Sequence, residues 1–279
     1  MRTKTIAKSV TVICGTLALT AAALGVHHVD SFAAYHYEDA DKYTAGDAVI
    51  EGTVKNLDID WTGGSISFEY HEGDKVEISE KTSKSLSEDK KMRWWLDEDT
   101  LRIQFAKDGS TFSSFGFDEE KELTVKLPES ISLSDVSIDT ATGDVQIPSL
   151  QAQKVTLDVS TGDIMLGLSG AEELKVSSAT GDVEATLDKV RSAEIENASG
   201  DVDLSAPGLE KLDIDVTTGD VTVALSEKPG FTVYVDTVTG SFDYDIPLVR
   251  DGENYVCGDG SGSVKIDTTT GDIMLTSVS

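Results

Sequence analysis

The chain has 279 residues, and its 51 Asp and Glu against 23 Lys and Arg leave a formal net charge of −28 at pH 7. Such a charge repels phosphate backbones and anionic lipid or polymer surfaces, which excludes direct nucleic-acid binding, while 39% hydrophobic residues suffice for a core. The two cysteines, Cys14 and Cys257, form neither a CxxC site nor a disulfide framework.

Arg2, Lys4 and Lys8 precede an uncharged run from Val10 to Val26, the arrangement of an export signal. Its seventeen residues exceed a typical signal core and reach the lower edge of a membrane span. Residues 1–34 are therefore read as a signal peptide, cleaved after the small residues of Ser31-Phe32-Ala33, or as a retained N-terminal membrane anchor. VTVIC lacks the small residue that a lipobox places before its cysteine. The basic residues ahead of the run predict that everything after it is extracytoplasmic, either secreted or held at the membrane through this segment alone. Residues 35–44 read as a linker.

Residues 45–130 read as a less regular N-terminal β region. LDIDWTGGSISF alternates apolar residues on both sides of Gly64: Leu57, Ile59 and Trp61 before it, Ile66, Phe68 and Tyr70 after it. Between Glu72 and Pro128 the pattern lapses, although LRIQF and ELTVKL still read as strands. Trp94, Trp95, Phe112, Phe115 and Phe117 fall in this stretch, and they either plug the open end of a stacked fold or form an aromatic surface for a glycan or apolar partner.

From residue 131 to 279 the chain is periodic. Gly143, Gly162, Gly181, Gly200 and Gly219 are each nineteen residues apart, and all five are followed by Asp and an aliphatic residue. Apolar residues stand seven and five before each Gly, as in Leu174 and Val176, and two and four after it, as in Val183 and Ala185. The frame recurs around Gly240 and Gly271, with residues 245–263 inserted between them as a hairpin or loop able to cover the C-terminal edge. Two all-β folds fit: a β-solenoid, or parallel β-helix, of nineteen-residue T-G-D coils, and an antiparallel β-meander with Thr-Gly turns. The constant period favours the solenoid, because in a stack every column meets its own copy and one insertion would break all the ladders.

With LDIDWTGGSISF, the serial T-G-D-[VI] coils and the closing VKIDTTTGDIML in view, the chain resembles the putative-adhesin family of bacterial β-strand-repeat domains of unknown function, found in envelope proteins of Gram-positive bacteria. The resemblance covers roughly Ala45 to Ser279. It implies an extracytoplasmic β-repeat domain and supplies no catalytic residues.

The residues themselves offer little for catalysis. His27, His28, His36 and His71 all lie outside the coils, so no His-based triad or histidine metal site can be assembled there. A polysaccharide-active β-helix enzyme would want a basic residue among clustered carboxylates, and Arg191 is the only arginine between Val136 and Leu225. The recurring acids are more informative. Asp144, Asp163, Asp182, Asp201, Asp220 and Asp272 follow the Gly, and Asp139, Asp158, Glu196 and Asp215 stand four residues before it. Stacked at about 4.8 Å, neighbouring charges would repel by roughly 0.9 kcal/mol in water, tolerable without a metal. Asp144, Asp163, Asp182, Asp201 and Asp220 are thus candidates for a Ca²⁺-binding edge or for side chains accepting a backbone N–H at a turn. Ser65 and Ser241 at the equivalent position favour the turn.

The glycines Gly64, Gly143, Gly162, Gly181, Gly200, Gly219, Gly240 and Gly271 are expected to be structural, at corners that need positive φ or close backbone approach. The expected protein is non-enzymatic and needs no cofactor. It displays a surface for adhesion to, or binding of, an unidentified protein or envelope component. The alternatives are a membrane-anchored accessory or sensor protein of an envelope-stress response and, third, the polysaccharide enzyme.

Overall fold

The computed structural model describes residues 39–109 and 121–278. Within them lie strands, turns and two short 3-10 segments, Ala40–Lys42 and Glu88–Lys90. The segment 1–34, with Cys14, His27 and His28, falls outside the described residues, as do His36, Phe112, Phe115 and Phe117.

The chain is a β-solenoid. Each regular coil has a strand before its glycine and a shorter one after it, as in Glu173–Thr180 and Val183–Asp188 or Ser192–Ser199 and Val202–Ala206. Leading strands form one sheet and trailing strands a second, each strand parallel to its copy nineteen residues on: Leu174 faces Ala193, and Val183 faces Val202. Val145–Thr161 bends through both sheets and joins them. Because side chains alternate across a strand, the residues at odd positions before the glycine and even positions after it turn inward: Leu174, Val176, Val183, Ala185 and Leu187 are all 3% exposed or less. Repeated in every coil, this builds one continuous core between the sheets.

Stacking order departs from chain order at both ends. The Gly271 coil, Gly262–Thr270 and Ile273–Ser277, sits between the Gly219 and Gly240 coils. At the other end, the Gly64 coil sits between the Gly143 coil and an outer one made of Thr100–Gln104 and Lys121–Pro128. Apolar content explains the C-terminal exchange. Val264, Ile266, Ile273 and Leu275 are fully interior, whereas Tyr244 of the Gly240 coil is 44% exposed and Val235 and Phe242 are only partly covered.

The ends are closed differently from the middle. N-terminally, Glu77–Thr82 and Arg93–Asp97 add antiparallel to the outer coil, followed by Ala48–Val49 and Thr44–Ala45. C-terminally, the inserted segment folds into a hairpin, Val249–Asp251 with Asn254–Cys257, whose second strand covers the edge of Phe231–Thr239. The buried N-terminal plug is Trp61 against Phe105, rings 5.1 Å apart, with Trp94 partly covered beside the core. Trp95 instead packs edge-on against Tyr43, with the Lys42 ammonium 4.4 Å above its ring. Phe242, Tyr244 and Tyr255 close the other end with ring centroids 5.1 to 5.8 Å apart.

Candidate functional site: the acidic corner

The corner between the two sheets is set by glycine. At Gly181, φ is +137°, and an added Cβ would lie 2.1 Å from the Gly162 carbonyl oxygen. L-residues avoid that conformation, and the close approach forbids any side chain. Gly143, Gly162, Gly200, Gly219, Gly240 and Gly271 repeat the arrangement on a neighbouring coil's glycine, while the Gly64 Cα faces the Lys121 backbone.

The aspartate after each glycine acts across coils. The N–H of Asp163 donates to Asp144 Oδ1 at 3.0 Å, that of Asp182 to Asp163 at 2.9 Å, and those of Asp201, Asp220 and Asp272 to the preceding Oδ1 at 2.8 Å. Asp272 Oδ1 in turn accepts both the N–H and the hydroxyl of Ser241. The column is a polar ladder along the spine. It brings Asp144, Asp163, Asp182, Asp201 and Asp220 into single file, each with one oxygen committed to a backbone donor. Among the described residues, no group of three or more His, Cys, Asp or Glu is arranged to hold a metal.

A second file lies on the outer face of the leading sheet, four residues before each glycine. In register across the strands it reads Asp60, Asp139, Asp158, Ser177, Glu196, Asp215, Asp267 and Asp236. Asp60, Asp236 and Asp267 were missed by reading only the regular repeats; applying the same glycine frame to Gly64, Gly240 and Gly271 finds them. Burial, then Asp139, then Asp58, pushes the Asp60 carboxyl up to about 7. Burial also raises Asp139, helped by Asp158 and Asp58, and raises Asp58 despite the Arg102 guanidinium that bonds it. Farther along, Lys175 pairs with Glu194 at 2.8 Å, and Lys265 reaches both Asp213 and Asp267. A groove of about 540 Å³ runs over this file between Asp158 and Thr217.

Elsewhere, a wider hollow of about 1060 Å³ lies between the crossover at Glu227–Gly230 and the C-terminal hairpin, and the buried Cys257 thiol lines it. His71 is engaged in its own turn, with Nδ1 accepting the Gly73 N–H and Nε2 on the Lys75 carbonyl. Among the described residues no helix is long and apolar enough to cross a membrane.

Stacked nineteen-residue coils, an obligatory glycine corner and in-register acidic files define a β-strand-repeat domain. The chain belongs to the Toastrack DUF4097 family, whose sequence profile matches residues 54–248. Solved structures similar to it include a putative cell adhesion protein from Clostridium sporogenes ATCC 15579, 14% identical, with 85% of this chain and 100% of that one covered and a TM-score of 0.41. A putative adhesin from Bacteroides fragilis NCTC 9343 is 15% identical over 85% and 97% of the two chains, with a TM-score of 0.42. No curated protein matches the chain.

Proposed function

We propose that this is a non-enzymatic, extracytoplasmic binding protein whose rigid solenoid presents its outer faces to a protein or envelope component. The observation that carries the reading is the file of carboxylates from Asp60 to Asp236. Seven acids stand in register on one face, and the nearest cations, Arg102, Lys175 and Lys265, sit in the adjacent file. A face that carries this many acids favours a cationic counterpart and suppresses anionic ones. Extracytoplasmic placement rests on the basic-then-apolar start of the sequence.

Binding of the purified protein to washed cells and isolated envelopes tests the proposal. Saturable, salt-sensitive retention is expected, weakened when Asp158, Glu196 and Asp215 are changed together to Asn, Gln and Asn. Retention unaffected by salt and by these changes rules out the acidic face. Turnover of any member of a cell-wall and plant polysaccharide panel rules out the non-enzymatic reading.

A further inference from the structure

Glu80 and Lys121 lie on neighbouring antiparallel strands, where Glu80 faces Leu123 and Lys121 faces Thr82, so the two are a diagonal pair on one face. Both side chains are almost completely buried, Lys121 at 1% and Glu80 at 7% exposure, with Nζ 3.1 Å from Oε2. The Phe105 ring centroid is 4.2 Å from Nζ and that of Trp61 5.7 Å. Two backbone carbonyls, Phe105 at 2.5 Å and Lys90, hold the lysine in place. The two carboxylate oxygens differ: Oε1 accepts the Met92 N–H at 2.8 Å, whereas Oε2 is buried and, among the described residues, has no aligned hydrogen bond. A buried carboxylate oxygen left in that state is costly.

We propose that Lys121 and Glu80 condense into an intramolecular isopeptide bond that fastens the N-terminal antiparallel cap to the outermost coil. In the reaction Nζ bonds to the Glu80 Cδ, and the Cδ–Oε2 bond breaks. Two of the three ammonium protons leave on Oε2 as water and the third remains on Nζ, so no oxidant, reductant or other reactant is needed. Each contact has a part in this. The carbonyls of Phe105 and Lys90 aim Nζ, and groups held at such a distance react as if at very high concentration. The Met92 N–H sits on the oxygen that stays, where negative charge develops as nitrogen adds to the carboxyl carbon. Oε2, the oxygen without an aligned hydrogen bond, is the one that leaves. The rings of Trp61 and Phe105 wall the pair from solvent, which opposes hydrolysis.

Tryptic peptide mapping of the purified wild-type chain by mass spectrometry decides the matter without any variant having to fold. The expected result is a branched peptide joining residues 76–81 to residues 108–126, lighter than their sum by one water and uncut after Lys121. Lys121→Arg should abolish it. Recovery from wild type of residues 76–81 as a free peptide, with cleavage after Lys121, overturns the proposal.

Discussion

The amide of Asp182 donates to the carboxylate of Asp163 in the preceding coil at 2.9 Å, and the carboxylate of Asp182 receives the amide of Asp201 at 2.8 Å. Each aspartate is thus a link between two coils. Asp182→Ala should cost about 1–2 kcal/mol, since the Asp201 N–H loses its acceptor. Asp182→Asn keeps an acceptor oxygen and removes a like charge, so its midpoint in urea should equal or exceed that of wild type.

Calcium separates the two roles open to this file. With Oδ1 of each aspartate already accepting a backbone N–H, millimolar Ca²⁺ should raise Tm little more than Mg²⁺ or matched ionic strength does, because both screen the same repulsion. Selective sites would instead stabilise the fold by about 2.7 kcal/mol at a hundredfold excess over Kd. A Ca²⁺-specific rise, lost when Asp163, Asp182 and Asp201 all become Ser, would establish them.

Gly181→Ala tests the corner itself. The new Cβ would meet the Gly162 carbonyl oxygen at 2.1 Å in a backbone held at φ +137°. Strain of this kind costs ~3 kcal/mol or more once the clash is added, and thermal unfolding should show it. Gly208, with open space around it, is the control, and Gly208→Ala should change Tm little.

Asp60 makes stability depend on pH in an unusual direction for an acid. Its folded pKa is raised from 3.8 to about 7, chiefly by burial. Its contribution is therefore complete below the unfolded value and is lost as pH rises toward 7. Asp60→Asn should remove that decline and stabilise the protein at pH 8 by ~2 kcal/mol, allowing for partial solvent access. Denaturation of both proteins between pH 4 and pH 8, in steps, gives the difference curve, and parallel curves would contradict the assignment.

The solenoid was legible because its columns must match. Leu174, Ala193 and Leu212 occupy one position in successive coils, and only stacking gives that regularity a cause. What a period does not encode is which coil neighbours which. The exchange of the Gly240 and Gly271 coils follows from how much apolar surface each hides, a comparison between segments rather than a pattern within one. The donor to each aspartate lies in a neighbouring coil, nineteen residues on for Asp144 to Asp201 and 52 residues on for Asp220, so a local turn reading found the residue and the kind of donor but not the donor's coil. Trp61 was recognised as a strand residue, yet its role as the end plug depends on Phe105, which lies where the repeat lapses. Glu80 and Lys121 lie in that same stretch, where no motif links them.

The exchanged coils also decide how the protein bears load. Asn56–Gly63, where the chain enters the regular stack, is gripped by Thr100–Gln104 on one side and Leu133–Thr142 on the other. Ile273–Ser277, where the described chain ends, is gripped in the same way by Val221–Leu225 and Phe242–Tyr244. Once the two-residue cap strands Thr44–Ala45 and Ala48–Val49 have come away, a tether pulling on either end therefore has no free margin to peel. It must shear two parallel ladders together, so the stack should resist extension from its ends more strongly than one whose first and last strands lie on the outside.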